Sequence, residues 1–449
     1  MHRSHGTMRW LGMLACLPAV LLAACATTTG NGPAGQRTPT PKVSPTATGA
    51  PISGQHAYTP EQLRDAYGVT SLYKQGYTGK GQTVVVIDSF GSPALQQDMD
   101  AFDQKYGLPD ITIQVIAPLG TKPFDNSDEM VGWAGETTED VQIIHAIAPD
   151  AGIVVLTSPV AETEGTVGLP EFLQLEQYAV EHHLGTIVSQ SWGASEYTLK
   201  DSASQQHLAK WNTFFQQATT QQGITFFAGS GDSGATDAAN MATSRQDMVL
   251  VHAPTSSFPN DSPWVTSVGG TVLDPTTTGG YTDIAWGGSS DLGSGGGFSA
   301  FYSQPSYQQS LPSSIQSLAK GKRGLPDVAS AAAVETGLGG IFGGGPFITN
   351  GTSAGGPLWS GLLAIANQMA GHSLGFINPA LYQIGVSGKY AQDFRDVTQG
   401  NNSVYDDSGA LIVQGYKAGP GWDAVTGWGV PVADHLLPDL IAATGGQTQ

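Results

Sequence analysis

Four short apolar runs without polar alternation recur in the first half of the chain, at residues 83–87, 152–156, 186–188 and 224–227. Runs of this kind are typical of strands that are covered on both faces. They are separated by segments with helical length and spacing at 94–106, 141–148, 169–183 and 208–222. This alternation predicts an α/β protein with a mostly parallel sheet. Residues that perform chemistry are then expected in loops at the carboxyl ends of the strands.

The N-terminal 55 residues do not follow this pattern. Residues 11–24 are apolar but too short for a comfortable membrane span, and His2, Arg3 and Arg9 precede them, which predicts an export signal over 1–25. Its end, Leu22-Ala23-Ala24-Cys25, resembles a bacterial lipobox in which Cys25 is acylated; an ordinary signal with an incidental cysteine is the alternative. Residues 26–55 are rich in Thr, Pro, Gly and Ser and predict a disordered tether. The folded domain is expected over 56–445.

Composition and charge restrict the classes of function and partner that this protein can have. With 40% hydrophobic and 12% charged residues the chain can bury a large core. A net charge of −19 disfavours nucleic acid and anionic lipid head groups as partners, which leaves a lipid anchor as the expected contact with a membrane. Both cysteines, Cys16 and Cys25, precede the predicted domain, so the domain has neither a disulfide nor a thiolate metal site.

A candidate nucleophile lies in the segment Asn350-Gly-Thr-Ser-Ala-Gly-Gly-Pro357, directly before an apolar helical stretch at 358–369. Small neighbours let a substrate carbonyl approach the Ser353 hydroxyl, and free N–H groups at a helix N-terminus can help to hold an oxyanion. A Gly-Thr-Ser turn before a helix is more often only an N-cap. The hydroxyl therefore needs partners before it can be assigned a catalytic role.

Carboxylates are the candidate partners, since no His-Gly-Thr-His stretch is present. Glu136 and Asp140 are four residues apart, so on a helix they share a face with a separation of about 40°. Close carboxylates tend to share a proton, whereas a helix N-terminus favours the charged form. Glu139 is expected to face elsewhere and to be solvated. The alternative interpretation of the pair is the acidic first turn of a helix.

Two further acidic positions stand out. Asp232 directly follows the strand that ends near residue 227, and it is either a turn residue or, when protonated, a hydrogen-bond donor to an oxyanion. The second interpretation predicts activity at acid pH. Asp396 and Asp423 lie in Gly-rich segments whose oxygens suit calcium, while Asx turns explain these residues about as well.

Together these segments resemble the sedolisin family of serine-carboxyl peptidases, which share the subtilisin fold. The resemblance covers about residues 58–431 and includes several further motifs in order: Tyr58–Gly68, Ser191-Trp-Gly193, Pro263–Thr271, Ser294–Ser299 and Arg323–Ala329. It implies a subtilisin-like three-layer α/β/α fold with a mostly parallel central sheet. It also implies a peptidase, most simply an endopeptidase, although tripeptidyl-peptidases belong to the same family.

The resemblance implies a role for each site residue. Ser353 attacks the scissile carbonyl, Glu136 accepts its proton, Asp140 supports Glu136, and Asp232 binds the oxyanion. Asp88 and Trp192 match positions that extend the carboxyl network in some members. One calcium ion is implied, with ligands from two side chains and three backbone carbonyls: Asp396, Asp423, Val397, Gly419 and Gly421.

The resemblance also sets expectations about the protein as a whole. We expect a monomer that acts on protein or peptide substrates and is either secreted or held on the outer face of the membrane through Cys25. Family members usually carry a long prodomain, whereas only the tether follows Cys25 here. The domain is therefore expected to fold unaided or with help from another protein.

Two alternatives remain. Asp88, His145 and Ser353 occur in the order of the subtilisin triad. His145 is nine residues after Glu136, however, so on one helix the two point about 180° apart, and its apolar neighbours favour a core histidine. The second alternative is a catalytically silent surface lipoprotein that uses the same fold to bind peptide or glycan.

Overall fold

The computed structural model describes residues 56–277 and 279–445 of the 449-residue chain. The predicted export signal, the tether and Cys25 lie outside the described residues. All described residues belong to a single compact unit. Within them, none of the helices combines the length and apolar character needed to cross a membrane.

The helices and strands of this unit are numbered in chain order. The helices are α1 (Pro60–Ala66), α2 (Thr70–Tyr73), α3 (Leu95–Tyr106), α4 (Asp128–Ile147), α5 (Leu169–Glu181), α6 (Ser202–Gln222), α7 (Ser313–Ala319), α8 (Gly355–Ala370), α9 (Asn378–Gly385), α10 (Tyr390–Asp393) and α11 (Ala433–Gly445). The strands are β1 (Thr83–Ser89), β2 (Gln114–Ile116), β3 (Gly152–Ser158), β4 (Ile187–Gln190), β5 (Ala194–Ser195), β6 (Thr225–Gly229), β7 (Ser257–Phe258), β8 (Val265–Pro275), β9 (Tyr281–Ala285), β10 (Gly297–Ser303), β11 (Lys322–Leu325), β12 (Val328–Ala331), β13 (Gly339–Phe342), β14 (Gly345–Ile348), β15 (Phe394–Arg395), β16 (Val404–Tyr405), β17 (Leu411–Val413) and β18 (Val430–Pro431).

The main sheet is mostly parallel, as the apolar runs predict. Its strand order is β12-β8-β6-β4-β1-β3-β2, and each of these neighbours pairs in parallel. Strand β9 pairs antiparallel with β8. The four apolar runs correspond to β1, β3, β4 and β6, so the carboxyl ends of these strands meet at one edge of the sheet.

Two apolar cores cover the two faces of the sheet. Alternate residues of β1 enter different cores: Val84 and Val86 lie on the face packed by α4 and α8, and Val85 and Ile87 lie on the face packed by α5 and α6. A strand whose two faces are both buried reads as a continuous apolar run because neither side-chain row meets water. The three-layer α/β/α architecture is therefore confirmed.

Two helices begin earlier than the pattern predicts. Helix α4 starts at Asp128, where the Ser127 side chain accepts a hydrogen bond from the Met130 N–H at 3.4 Å, and α6 starts at Ser202 after an Asp201 cap. The apolar spacing revealed only the part of α4 that lies deep in the core. Its first half is interrupted by two glycines and several acidic residues, so amphipathic periodicity fails there.

Candidate active site

Ser353 lies in a short 3-10 turn, Thr352–Ala354, which leads directly into α8. The preceding Gly351 has φ of 80°, and a Cβ there would lie 2.6 Å from Asp232 Oδ2, so only glycine fits without strain. Helix α8 begins without a side-chain cap. The Ser353 hydroxyl therefore does not act as an N-cap, and the turn holds it close to Asp232 instead.

Glu136 belongs to the third turn of α4 rather than to its first turn, so the helix-start interpretation of the acidic pair is wrong. Burial, followed by the charge of Asp88, raises the pKa of Glu136 from 4.5 to about 8, while hydrogen bonding to the Ser353 and Ser191 side chains acts in the opposite direction. The helix N-terminus is too distant to favour the charged form. The structure thus brings Glu136 to the Ser353 hydroxyl.

Asp140 lies one turn further along α4 and is fully buried. The Ser191 hydroxyl donates to Asp140 Oδ1 at 2.8 Å and lies 3.2 Å from the Ser353 carbonyl oxygen. Burial, and then the charges of Asp88 and Glu136, raise the pKa of Asp140 well above its usual value. Ser191 therefore links the Asp140 carboxyl group to the turn that carries Ser353. The sequence motif Ser191-Trp192-Gly193 pointed to this position but did not predict its role.

Asp88, at the end of β1, is also fully buried, and neither of its carboxyl oxygens has a hydrogen-bond partner among the described residues. The nearby Thr137 hydroxyl donates to the Trp133 carbonyl oxygen at 2.9 Å. Burial raises the pKa of Asp88 to about 7. Trp192 packs edge-on against Phe172, and its indole Nε1 is buried without a described partner, so no hydrogen bond joins it to Asp88.

Glu139 departs from the expectation that it is solvated, and that expectation is wrong. Its side chain is only 6% exposed, and Oε1 accepts a hydrogen bond from the Asn350 N–H at 3.1 Å. Burial and the charge of Glu136 raise its pKa well above the usual value. Residues three apart share a helix face, so the i, i+3 spacing to Glu136 was the signal that could have found it. We call Asp88, Glu136, Glu139 and Asp140 the Ser353 carboxyl cluster.

Asp232 follows β6 and is tied to the turn that carries Ser353. Its Oδ1 accepts hydrogen bonds from the Thr352 N–H at 2.7 Å and from the Thr352 hydroxyl at 2.9 Å. The Thr352 hydroxyl also accepts from the Gly231 N–H at 3.0 Å. Asp232 and Ser353 line the same cavity. These contacts hold the Asp232 carboxyl group beside the turn that carries Ser353.

His145 takes no part in this arrangement. It is fully buried, and its Nε2 lies 3.1 Å from Asp103 Oδ1 and 3.0 Å from the Pro109 carbonyl oxygen. These partners belong to α3 and the segment that follows it. The imidazole is therefore held between α4 and α3, as the interpretation as a core histidine predicts, and the geometry gives no support to the subtilisin triad.

Two cavities open at the site. One, of about 300 Å³, is lined by Ser353, Asp232 and Thr352. The other, of about 1130 Å³, is lined by Glu136 and Glu139 and by two aromatic side chains of the β13–β14 hairpin, Phe342 and Phe347. Ser191 and Trp192 border both cavities. The open space therefore extends from Ser353 past Ser191 and Trp192 to Glu136 and Glu139.

A second group of acidic residues lies in the C-terminal loops. Asp423 is buried; its Oδ1 accepts from the Val425 and Thr426 N–H groups, and its Oδ2 accepts from the Gly419 N–H at 3.0 Å. Asp396 Oδ2 accepts from the Gly421 N–H at 3.2 Å, and its Oδ1 accepts from the Tyr390 hydroxyl at 2.7 Å. Both carboxylates therefore contact the 419–421 loop.

This group fits the implied calcium ligands in chemistry. Within the described part of the chain, no N–H or hydroxyl donates to the carbonyl oxygens of Val397, Gly419 or Gly421. Uncommitted carbonyls beside two carboxylates are the hard oxygen ligands that calcium prefers. The described residues contain no cluster of three or more His, Cys, Asp or Glu side chains suited to a metal, and this set has only two. We call Asp396, Val397, Gly419, Gly421 and Asp423 the C-terminal loop cluster.

Comparison with known proteins identifies extensive similarity. Kumamolisin of Bacillus sp. (strain MN-32) is 33% identical over 392 residues, which cover 86% of this chain and 64% of kumamolisin. Tripeptidyl-peptidase 1 of Canis lupus familiaris is 32% identical over 426 residues, which cover 90% of this chain and 67% of that protein. The chain thus spans about two thirds of the length of these relatives. No protein-family model matches it.

Among solved structures, a Pseudomonas sedolisin, described as a serine-carboxyl proteinase complexed with two molecules of pseudo-iodotyrostatin, superposes with a TM-score of 0.71 at 28% identity. The match covers 86% of this chain and 99% of that chain. The subtilisin-like α/β fold that the sequence predicts is therefore confirmed.

Proposed function

We propose that this chain, which belongs to the sedolisin family of serine-carboxyl peptidases, hydrolyses peptide bonds through an acyl-enzyme formed on Ser353. The observation that carries the proposal is the position of Glu136 on α4, which is close enough to the Ser353 side chain for that side chain to lower its pKa. A serine hydroxyl is a weak nucleophile and needs an adjacent base to become reactive.

In the first half of the reaction, Ser353 Oγ attacks the scissile carbonyl carbon while ionised Glu136 accepts the hydroxyl proton. Protonated Asp232 donates a hydrogen bond to the oxyanion that forms. Glu136 then delivers the proton to the leaving amine, and the C–N bond breaks to give the acyl-enzyme. In the second half, water replaces the amine, Glu136 accepts its proton, and the acid product leaves as the proton returns to Ser353 Oγ.

The surrounding carboxyls tune this proton transfer. Burial and the charge of Asp88 raise the basicity of ionised Glu136, and Asp88 and Glu136 in turn raise the pKa of buried Asp140. Glu136 must lose a proton to act as base, whereas Asp232 must keep one to bind the oxyanion. Because the pKa of Glu136 is raised to about 8, the ionised base is scarce at acid pH, so activity is expected to rise with pH across the acid range. The acid activity that the family resemblance implies requires that bound substrate lowers this pKa.

Endopeptidase action is the finer part of the proposal. The two cavities that share Ser191 and Trp192 support it, because together they offer a polypeptide open space beyond Ser353. Tripeptidyl-peptidase action is the second candidate, since several relatives carry that name. Casein digestion at about pH 4 with mass-spectrometric mapping of products distinguishes the two. Internal cuts support the endopeptidase, and tripeptides alone contradict it.

Ser353→Ala provides the test of the reaction itself, with Ser314→Ala, an exposed serine on α7, as the matched control. We expect casein turnover to disappear in the first variant and to remain in the second. Turnover that survives Ser353→Ala would contradict the acyl-enzyme mechanism. Absence of turnover in the unaltered protein at every acid pH would favour the silent binding protein instead.

We further propose one calcium ion at the C-terminal loop cluster, held by the side chains of Asp396 and Asp423 and the carbonyls of Val397, Gly419 and Gly421. A bound calcium supplies positive charge that offsets the two carboxylates and fixes the loops that carry them. We also propose export through residues 1–25, attachment to the membrane through Cys25, and action as a monomer on extracellular protein or peptide.

A further inference from the structure

The segment that carries Ser353 is held by different elements along its length, and we call residues 350–353 the nucleophile segment. The Gly351 N–H donates to the Ala332 carbonyl oxygen, just after β12, at 2.7 Å. The Thr352 N–H donates to Asp232 Oδ1, in the loop after β6, at 2.7 Å. These two contacts tie the segment to the ends of two strands. Neither of them ties it to α4, which carries the proposed general base.

Glu139 supplies the missing contact with α4, although the proposed reaction gives this residue no role. Its Oε1 accepts a hydrogen bond from the Asn350 N–H at 3.1 Å. Among the described residues, this is the only hydrogen bond from a side chain of α4 to the backbone of the nucleophile segment. Because Asn350 lies three residues before Ser353, the contact fixes how closely the segment approaches the helix.

Helix geometry places the base between two anchored side chains. Asp140, four residues after Glu136, is displaced from it by about 40° around the helix axis. Glu139, three residues after Glu136, is displaced by about 60° in the opposite direction. Ser191 donates to the carboxyl group on the first side and Asn350 donates to the one on the second side. Contacts on both sides of the base therefore set its position relative to the nucleophile.

Gln142 shows that the contact made by Glu139 is specific to the nucleophile segment. It lies one further turn along the same side of α4, and its amide donates to the Ile341 carbonyl oxygen at 2.7 Å and accepts from the Ile341 N–H at 2.9 Å. Gln142 thus holds the β13–β14 hairpin, which precedes the nucleophile segment. Glu139 is the residue on this side of the helix that reaches the segment itself.

The protonation state of Glu139 suits this contact. Burial, and then the charge of Glu136, raise its pKa well above the usual value, with a smaller contribution from Asp232; the hydrogen bond from the Asn350 N–H acts in the opposite direction. A protonated carboxyl still offers an acceptor oxygen to an N–H group. At acid pH Glu139 therefore holds the segment without adding a negative charge beside the base.

Within the described lining of the 1130 Å³ cavity, no cation pairs with Glu139. Arg245 lines this cavity, but its guanidinium pairs with Asp291 at 3.2 Å. The other charged groups of the lining, apart from Glu136, are acidic: Asp128, Glu129, Glu162 and Asp247. These surroundings favour the neutral form of Glu139.

We propose that Glu139 is a positioning residue for the reaction of Ser353, because its carboxyl group holds the Asn350 end of the nucleophile segment on α4 beside Glu136. This assignment rests on the proposed peptidase function. A misplacement of about 1 Å between reacting groups can lower a rate by about 100-fold. Loss of the contact therefore lowers the rate of the chemical step more than it weakens substrate binding.

The test compares two substitutions of Glu139 with a fluorogenic peptide substrate at acid pH. Glu139→Met keeps the approximate length of the side chain but removes the acceptor, and we expect kcat to fall by about 100-fold with KM within about 2-fold. Glu139→Gln keeps an acceptor oxygen, and we expect it to retain kcat within about 3-fold of the unaltered protein. Glu181→Met changes an exposed glutamate at the end of α5 and is the matched control.

Two results would overturn the assignment and leave the peptidase intact. The first is full kcat in Glu139→Met, which would show that the contact does not position the nucleophile. The second is a Glu139→Gln protein as slow as Glu139→Met, which would show that an acceptor oxygen at this position is not sufficient. If Glu139→Met does not fold, Glu139→Ala provides the same comparison.

Hydrogen exchange tests the contact without turnover. In the Ser353→Ala protein, we expect the Asn350 N–H to exchange about 5-fold faster or more after Glu139→Met and at an unchanged rate after Glu139→Gln. An exchange rate that Glu139→Met does not change would overturn the proposal. If the unaltered protein cleaves no peptide, the peptidase function fails, and the exchange rates alone decide whether Glu139 holds the segment.

Discussion

The Ser353 carboxyl cluster and the C-terminal loop cluster use the same residue types in opposite surroundings. In the first, four buried carboxyls crowd together, and both Asp88 oxygens lack any described donor. In the second, Asp423 accepts several backbone N–H groups and lies beside carbonyls that accept no described hydrogen bond. Crowded carboxyls without partners retain protons. Burial raises the pKa of Asp423 to about 7 as well, but backbone N–H groups donate to its charged form, and the free carbonyls beside it suit a metal cation. The surroundings, rather than the residue type, distinguish proton chemistry from cation binding.

The largest effect is expected when the proton acceptor of the Ser353 carboxyl cluster is removed. Glu136→Gln keeps the size of the side chain but removes the proton acceptor, so we expect kcat for casein or peptide hydrolysis to fall by about 10³-fold. The matched control is Glu181→Gln, which changes an exposed glutamate and is expected to retain full activity. Near-normal activity of Glu136→Gln would show that Glu136 is not the general base.

The second prediction concerns the pH dependence of stability. The folded pKa values of Asp88 and Glu136, about 7 and about 8, lie above their ordinary values of 3.8 and 4.5. Their contribution to stability is therefore fully present below about pH 4 and is lost as pH rises through 7 to 8. We expect the free energy of unfolding to fall by several kcal/mol between these limits, because each unit of pKa shift corresponds to about 1.4 kcal/mol.

Denaturant unfolding of the Ser353→Ala protein measures this change without self-digestion. Asp88→Asn provides the comparison, because it removes one buried ionisation and should flatten the fall in stability. A protein that is more stable at pH 8 than at pH 4 would contradict the arrangement of protonated carboxyls around Ser353.

The third prediction concerns the C-terminal loop cluster. Removal of calcium by a chelator, or Asp423→Asn, is expected to lower Tm by on the order of 5 °C, because bound metal stabilises the folded state alone. Asp407→Asn changes an exposed aspartate in a neighbouring loop and provides the control. A Tm that responds to neither chelation nor added calcium would leave the cluster as ordinary loop structure.

The smallest effect is expected at His145. His145→Gln removes the contact with Asp103 and lowers Tm, but kcat should stay within about 3-fold because the imidazole lies between α4 and α3. The measurement is kcat for peptide hydrolysis beside that of Glu136→Gln. A loss as large as that of Ser353→Ala would restore the alternative triad of Asp88, His145 and Ser353.

Much of the fold and part of the site could be predicted from the sequence. The run at 83–87 predicted β1 because a strand buried on both faces needs no polar alternation. The Gly-Thr-Ser turn predicted the position of Ser353 before α8, and the four-residue spacing placed Glu136 and Asp140 on one face. The prediction that Glu139 is solvated was wrong, since its i, i+3 relation to Glu136 also brings it to that face, where the Asn350 N–H donates to it.

The sequence by itself determined the strands, the helices and the residue types available for chemistry, because apolar periodicity and turn-forming residues are local properties of the chain. Only the tertiary structure decided that Asp88, Glu136, Asp232 and Ser353 meet, since the strand order of the sheet brings together positions that lie far apart in sequence. It also decided that Glu139 meets the segment that carries Ser353. Burial and the proximity of other carboxyls set the pKa of each group, and neither can be read from a sequence without its fold.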